Sequence, residues 1–305
     1  MQFTNLELDA TGREKAVRGT PMFPCAIYDT DISKFTGGEI PWHWHGELEL
    51  MVVKDGALAL CLPERKVLLR AGQGAFINAN VLHSIRPMGQ PGGRFLTLVF
   101  DAALIGGAKE SAFHVKYVRP VLACRALQFF KFDDYTPWQH EAMECFLHAY
   151  DYYANEPFGY ELLIRSDLSR LWYLLTKNLV HVLAATPAPT EADDERVKRM
   201  LGFLQTHYAE QITLEQIAAS ANISQRECFR CFERTLGMPP VEYLVRYRIG
   251  VAADLLIGTK QPVTDVCFAV GFRDPSYFSK IFRKQLGCTP RQYRSSDAAR
   301  SGTAE

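Results

Sequence analysis

The sequence predicts an α+β chain of several domains: a β-barrel with a helical hairpin behind it, then an all-α domain holding two helix-turn-helix motifs. Three observations carry this expectation. Residues 20–101 break into short β-rich runs separated by turn residues. Residues 137–185 change to apolar positions at helical spacing. From about residue 195 a set of cap, core and stop residues occurs twice, fifty positions apart, as a duplicated structural unit does.

Length and composition bound the reading. At 305 residues the chain has room for two domains, each with its own core. No stretch approaches the run of uncharged apolar residues that a membrane helix needs, and the N-terminus MQFTNLELDATGREK lacks a basic start followed by an apolar run. The expectation is a cytoplasmic chain with no membrane partner. The eight cysteines (Cys25, Cys61, Cys124, Cys145, Cys228, Cys231, Cys267, Cys288) sit mostly in apolar contexts, as buried thiols of a reducing compartment do. Cys228 and Cys231 form a CxxC inside a helix with no second ligand pair nearby, which favours core over zinc or redox chemistry. The whole chain balances 34 basic against 34 acidic residues, yet residues 195–294 hold 15 Lys and Arg against 9 Asp and Glu. A basic C-terminal segment on an acidic body suits phosphate binding by one domain only.

The first domain is expected over 1–110. Its runs LELMVV, ALALCL, KVLL, AFIN and RFLTLVF are punctuated by Asp55-Gly56 and Gly72, the pattern of an antiparallel barrel or sandwich. Within it stand Gly37, His43-Trp44-His45, Glu49 and Gly56, with His83 further on. Positions 43, 45 and 49 share one face of a regular strand, so two imidazoles and a carboxylate converge. This spacing resembles the first cupin motif with every interval satisfied. The second motif is partly kept: Gly72 and His83 are in place, but Asn78, Asn80 and Pro87 stand where the pattern has Pro, Gly and Asn. The resemblance implies a cupin-like barrel in which three histidines and a glutamate can hold a divalent transition metal. Trp42 and Trp44 flank the motif, either as an aromatic wall for a ligand or as ordinary core.

Residues 111–185 form a connecting region and a helical hairpin, WQHEAMECFLHAYDYYAN and YELLIRSDLSRLWYLLTKNLVHVLAA, broken at Glu156-Pro157-Phe158-Gly159. Its apolar face can cap the barrel or join two chains. Residues 186–194, Pro/Ala-rich and acidic, read as a linker, 195–296 as the second domain, and 297–305 as a disordered tail.

In the second domain Thr213-Leu-Glu-Gln216 and Ser224-Gln-Arg-Glu227 each have the form of a capping box, and Asp274-Pro275 opens a further helix with an N-cap and a proline at the first turn. Fifty residues separate Arg230 from Lys280, Phe232 from Phe282, Leu236 from Leu286, Gly237 from Gly287, Pro240 from Pro290 and Tyr243 from Tyr293. Residues 241–257 keep helical periodicity, so a helix joins the units and sets the separation of two recognition helices. Val263, Val266, Cys267 and Val270 form the core of one helix, and Tyr277, Phe278, Ile281, Phe282 and Leu286 one face of the next.

These hundred residues resemble the DNA-binding domain of the AraC/XylS family of bacterial transcription regulators. Gly271-Phe272, Tyr277-Phe278-Ser279, Phe282-Arg283-Lys284 and Gly287-x-Thr-Pro290-x-x-Tyr293-Arg294 carry the likeness, with Phe268 a departure. The resemblance implies base contacts from Arg226, Phe229 and Arg230 in the first unit and Ser276, Ser279 and Lys280 in the second. Phe229 either packs on a thymine methyl or marks a helix that reads less of the sequence. It also implies double-stranded DNA, a small-molecule effector such as a sugar, and RNA polymerase as partners, a homodimer, and no enzymatic activity or cofactor. In such a sensor Trp42, His43, His45, Glu49 and His83 are expected to line an effector pocket. The alternative readings are a metal-dependent cupin enzyme, a metal-responsive regulator, or histidines satisfied by backbone carbonyls.

Overall fold

The computed structural model describes residues 13–63, 65–89, 93–133, 136–184 and 191–301. Its strands are β1 (Cys25–Asp31), β2 (Ile40–His43), β3 (Leu48–Asp55), β4 (Ala57–Leu62), β5 (Arg65–Arg70), β6 (Gly74–Ile77), β7 (His83–Pro87), β8 (Arg94–Phe100) and β9 (Phe129–Phe132). They form two antiparallel sheets, ordered β1-β8-β3-β6-β9 and β2-β7-β4-β5. Among the described residues no strand pairing joins the sheets, so the expected barrel is an open two-sheet sandwich. The chain leaves β2 at His43 and enters β3, in the other sheet, at Leu48, so residues 44–47 make a corner where a single strand was expected.

Strand alternation then divides the apolar side chains among three layers. Met51, Val53, Leu58, Leu60, Phe95 and Ile85 point between the sheets. Leu50, Val52, Phe76 and Leu98 point outward from the five-stranded sheet into a cluster shared with the hairpin. Ala59, Cys61 and Trp42 point outward from the four-stranded sheet.

Short helices α1 (Ala103–Gly106) and α2 (Arg119–Leu122) precede the hairpin of α3 (Pro137–Asn155) and α4 (Tyr160–Asn178), and α5 (Val180–Leu183) follows it. The break falls where Glu156 and Gly159 take positive φ. Met143, Phe146, Leu168 and Trp172 cover the five-stranded sheet, and Trp172 Nε1 donates to the Tyr117 carbonyl at 3.0 Å. Leu147, Leu162 and Tyr173 remain exposed on its other side.

The C-terminal region is α6 (Glu191–His207), α7 (Leu214–Ser220), α8 (Gln225–Leu236), α9 (Pro240–Gly258), α10 (Val263–Ala269), α11 (Pro275–Leu286) and α12 (Pro290–Ser301). Helix α6 begins within the expected linker, of which 186–190 lie outside the described residues, and α12 runs into the expected tail, of which 302–305 also lie outside. The capping signals are realised at Thr213 and Thr289, where threonine and glutamine bond reciprocally. Asp274 accepts from the amides of Ser276 and Tyr277 at 2.7 and 3.2 Å. Gly237 and Gly287 end α8 and α11 in the left-handed region, where a side chain is disfavoured. Each unit has its own core, Cys228, Cys231 and Phe232 in the first, Val266, Cys267, Val270, Phe278 and Phe282 in the second. Both CxxC thiols are thus core, as expected.

A buried arginine ties the units together. Arg248 on α9 donates from Nε to the Tyr208 carbonyl at 2.7 Å and from Nη2 to the Glu210 carbonyl at 2.6 Å. Gly271, at φ +87°, closes the turn beneath it; a Cβ there would lie 2.7 Å from the Tyr208 carbonyl oxygen and 2.9 Å from that of Ala209.

The two domains are docked. Trp42, Ala59, Cys61 and Leu82 share a core with Val197, Met200 and Leu201 of α6. Lys198 on α6 donates to the Asn80 carbonyl at 2.8 Å and its ammonium lies 5.1 Å from the Trp44 ring centre.

Candidate functional site

The structure brings His43, His45, Glu49 and His83 together at the inner face of the sandwich, all buried. His43 ends β2, paired opposite His83 at the start of β7. His45 sits in the corner, and Glu49 is the second residue of β3. The ring centres of His43 and His83 are 4.2 Å apart, and the ligating nitrogens of the three histidines all lie within 4.8 Å of one another.

Backbone carbonyls fix the tautomers, because a carbonyl only accepts. Nδ1 of His43 donates to the Pro41 carbonyl at 2.8 Å, that of His83 to Val81 at 2.9 Å, and that of His45 to Glu47 at 3.1 Å. Each Nε2 is thereby the nitrogen turned to the cluster. Nε2 of His45 lies 3.0 Å from Glu49 Oε2, and since a carboxylate also only accepts, His45 carries a proton on both nitrogens. His83 Nε2 lies 3.3 Å from the same oxygen without an aligned hydrogen bond. Burial and the neighbouring histidines His83 and His45 hold His43 well below the usual imidazole range, so it is neutral. Burial pushes His45 down, but its hydrogen bond to Glu49 outweighs this and raises it. Burial likewise opposes charge on Glu49, and hydrogen bonding and the positive potential from His45 and His83 hold it well below the usual carboxylate range. The set is one carboxylate, one imidazolium on His45, a neutral His43 with its Nε2 lone pair turned inward, and His83, whose Nε2 lies by Glu49 without an aligned hydrogen bond.

A cavity of about 60 Å³ opens beside His43 and Glu49, lined also by Glu14, Arg18, Tyr28 and Thr97. That is room for a few water molecules. Arg18 is ion-paired with Glu14 and donates to the Tyr28 hydroxyl at 2.7 Å. Nothing local in the sequence marks Glu14 or Arg18 as neighbours of the histidines, since the contact depends on how the segment before β1 crosses the sheet. Trp42 is a correction: β2 has a register irregularity between Ile40 and His43, which leaves His43 on the cavity and Trp42 in the core shared with α6. Trp44 likewise faces the interdomain cleft with Lys198, Arg199 and Asn80.

On the C-terminal domain Arg226, Phe229 and Arg230 are exposed on α8, and Ser276 and Lys280 on α11, with Ser279 half-buried. Tyr277, expected on the apolar face, is 49% exposed and is an additional side chain on the outer side of α11. Among the described residues no helix is long and apolar enough to cross a membrane.

A buried polar sensor cavity in one domain and paired helix-turn-helix units in the other define a DNA-binding regulator with a ligand-binding domain. Comparison with known proteins agrees. A family described as AraC-like ligand binding domain matches residues 32–166, and one described as helix-turn-helix domain matches 217–296. The chain thus joins an AraC-like ligand-binding domain to a helix-turn-helix DNA-binding domain. It is 28% identical over 296 residues to the uncharacterized HTH-type transcriptional regulator YdeC of Bacillus subtilis, covering 95% of this chain and 98% of that one. It is 31% identical over 134 residues to the lactose operon transcription activator of Staphylococcus xylosus, covering 44% and 47%. The solved DNA-binding domain of AdpA in complex with a target DNA is 32% identical, covering 34% of this chain and 95% of that one, with a TM-score of 0.33.

Proposed function

We propose that this regulator is switched by a small polar effector held in the sensor cavity by His43, His45, Glu49 and His83. These four buried side chains cluster together, and two of them, His43 and Glu49, line the cavity beside the cluster; that arrangement carries the reading. Arg226, Phe229 and Arg230, with Ser276, Ser279 and Lys280, then read the operator from the outer faces of α8 and α11, while Lys and Arg neighbours bind phosphate. A basic domain presented twice, in a cytoplasmic homodimer joined through the exposed side of α3 and α4, recognises paired half-sites and presents them to RNA polymerase. The site binds and does not turn over substrate. The relatives' names point to a sugar, as in the lactose operon activator. The cavity of about 60 Å³ is small for a monosaccharide, so a sugar effector requires the site to open.

A second reading has its own observation. The ligating nitrogens of His43, His45 and His83 lie within 4.8 Å of one another, and Nε2 of His83, 3.3 Å from the Glu49 carboxylate, has no hydrogen-bond partner. Such a donor set fits a divalent transition ion, which Nε2 of His43, His45 and His83 and the Glu49 carboxylate would hold, with the carbonyl bonds to Nδ1 orienting the rings. Bound there, the ion supplies charge and a Lewis-acidic anchor for a polar effector.

Selection of fragmented genomic DNA on the purified chain at physiological salt tests the regulator reading: paired half-sites upstream of a few genes are expected. Calorimetric titration of chelator-treated protein with zinc, manganese or nickel ions decides between the two cavity readings. Near one equivalent, lost in His45→Ala, establishes the metal; no stoichiometric uptake leaves the hydrogen-bonded effector.

A further inference from the structure

The first recognition helix departs from its own sequence signal. Ser224 and Glu227 have the spacing of a capping box, in which the glutamate reaches back to the serine amide. Only half of it forms: Ser224 Oγ accepts from the Glu227 amide at 3.2 Å. The boxes at Thr213–Gln216 and Thr289–Gln292 are complete, so the spacing does not impose the omission. The Glu227 carboxylate turns outward instead. Its Oε2 accepts from Arg230 Nε at 3.0 Å, and its Oε1 from Arg230 Nη2 at 2.5 Å. Oε1 also lies 3.6 Å from Nη1 of Arg196 on α6, the helix whose Lys198 is docked on the sensor domain.

This is a fork-to-fork pair on the Nε and Nη2 edge of Arg230, one turn along the outer face of α8. It leaves the terminal Nη1 and Nη2 end of the guanidinium free to meet a partner, and that pair of donors matches O6 and N7 of guanine in the major groove. An arginine without such a partner samples many rotamers in water and must lose them on binding DNA. We propose that Glu227 is a positioning residue, which fixes the guanidinium plane of Arg230 so that its terminal nitrogens are presented to one guanine. The inference rests on the reading of Arg230 as a base contact. Glu227 is held in turn from α6, so the orientation of Arg230 is referred to the body of the domain and not to α8 alone.

The test uses the full chain with Glu227→Asp, Glu227→Gln and Arg230→Ala, each titrated with a duplex selected on the parent protein, its single-base variants and an unrelated duplex. Aspartate keeps the charge at the helix N-terminus but not the reach, which separates positioning from electrostatics. Both Glu227 variants are expected to lower the ratio of operator to unrelated affinity roughly threefold to tenfold. They are also expected to flatten preference at the one base pair that Arg230→Ala relaxes, leaving other positions and the thermal transition unchanged. If Glu227→Asp matches the parent while Glu227→Gln raises affinity for both duplexes alike, the carboxylate acts only by repelling phosphate and the inference is overturned. If Arg230→Ala relaxes one position and the Glu227 variants do not, Arg230 reads a base unaided. If Arg230→Ala relaxes none, the base-contact reading falls, and this inference with it.

Discussion

Arg248 is the member whose removal has the most calculable effect on the DNA-binding domain. Its guanidinium makes two bonds to carbonyls, Tyr208 and Glu210, in the segment between α6 and α7, and it is itself 8% exposed. A hydrogen bond from a charged donor contributes about 1.5–3 kcal/mol, and a buried carbonyl left without a donor costs about 1–3 kcal/mol. Arg248→Ala opens enough space for water to reach part of what it strands, so the expected loss is about 2–4 kcal/mol in the C-terminal domain. Arg248→Met keeps the aliphatic stem while deleting the donors and the guanidinium over the Phe272 ring, and is expected to recover the packing share only. Urea unfolding separates the domains by probe. All four tryptophans, Trp42, Trp44, Trp138 and Trp172, lie in the N-terminal domain, whereas helical circular dichroism is weighted toward the C-terminal one. The transition followed by dichroism should move to lower urea while the fluorescence of Trp138 and Trp172, which lie away from the α6 interface, holds in a chain with Trp42 and Trp44 replaced by phenylalanine. Loss of the bracket also frees one helix-turn-helix unit to turn against the other, so selected operators should shrink to a single recognition element. A stability change under about 0.5 kcal/mol in Arg248→Ala would refute this reasoning, because the carbonyls would then be adequately hydrated without the arginine.

Two further outcomes are expected. Gly271→Ala should destabilise the same domain by about 2 kcal/mol or more, measured by thermal melting, because its Cβ meets two backbone carbonyl oxygens at a positive φ. At acid pH the Asp29–Arg94 pair, bonded at 2.7 and 2.6 Å across β1 and β8, should be lost. Partial burial pushes Asp29 up, but hydrogen bonding from Arg94 and the charges of Lys54 and Arg94 outweigh it and hold the carboxyl below its usual range. A depressed folded pKa means the pairing contributes above the unfolded value, near 4, and disappears as pH falls through the folded one. Stability of Asp29→Asn should therefore vary less between pH 5 and pH 2 than that of the parent chain, by about the strength of one surface pair.

What could be read in the sequence follows the range over which each signal acts. The caps at Thr213, Asp274 and Thr289 and the stops at Gly237 and Gly287 depend on atoms within one helical turn, and all five form as read. The intervals between His43, His45, Glu49 and His83 were informative as a motif, although a corner replaced the single strand and the His43–His83 pairing joins strands far apart in sequence. Trp42 was misplaced because its direction depends on the register irregularity in β2. Glu14 and Arg18 were missed because no local pattern says which strand the preceding segment crosses. The outward turn of Glu227 was likewise invisible, since its box spacing is satisfied equally well by the bond it does not make.

The placement of Trp42 and His43 on β2 has a mechanical meaning for the regulator. His43 lines the cavity and its immediate neighbour Trp42 packs on α6, so no layer of intervening side chains separates the proposed effector site from the DNA-binding domain. A peptide unit is stiff, so a displacement of one side is a displacement of the other. On the proposed reading, the residue that meets the effector and the residue that meets the DNA-binding domain are consecutive in one ribbon.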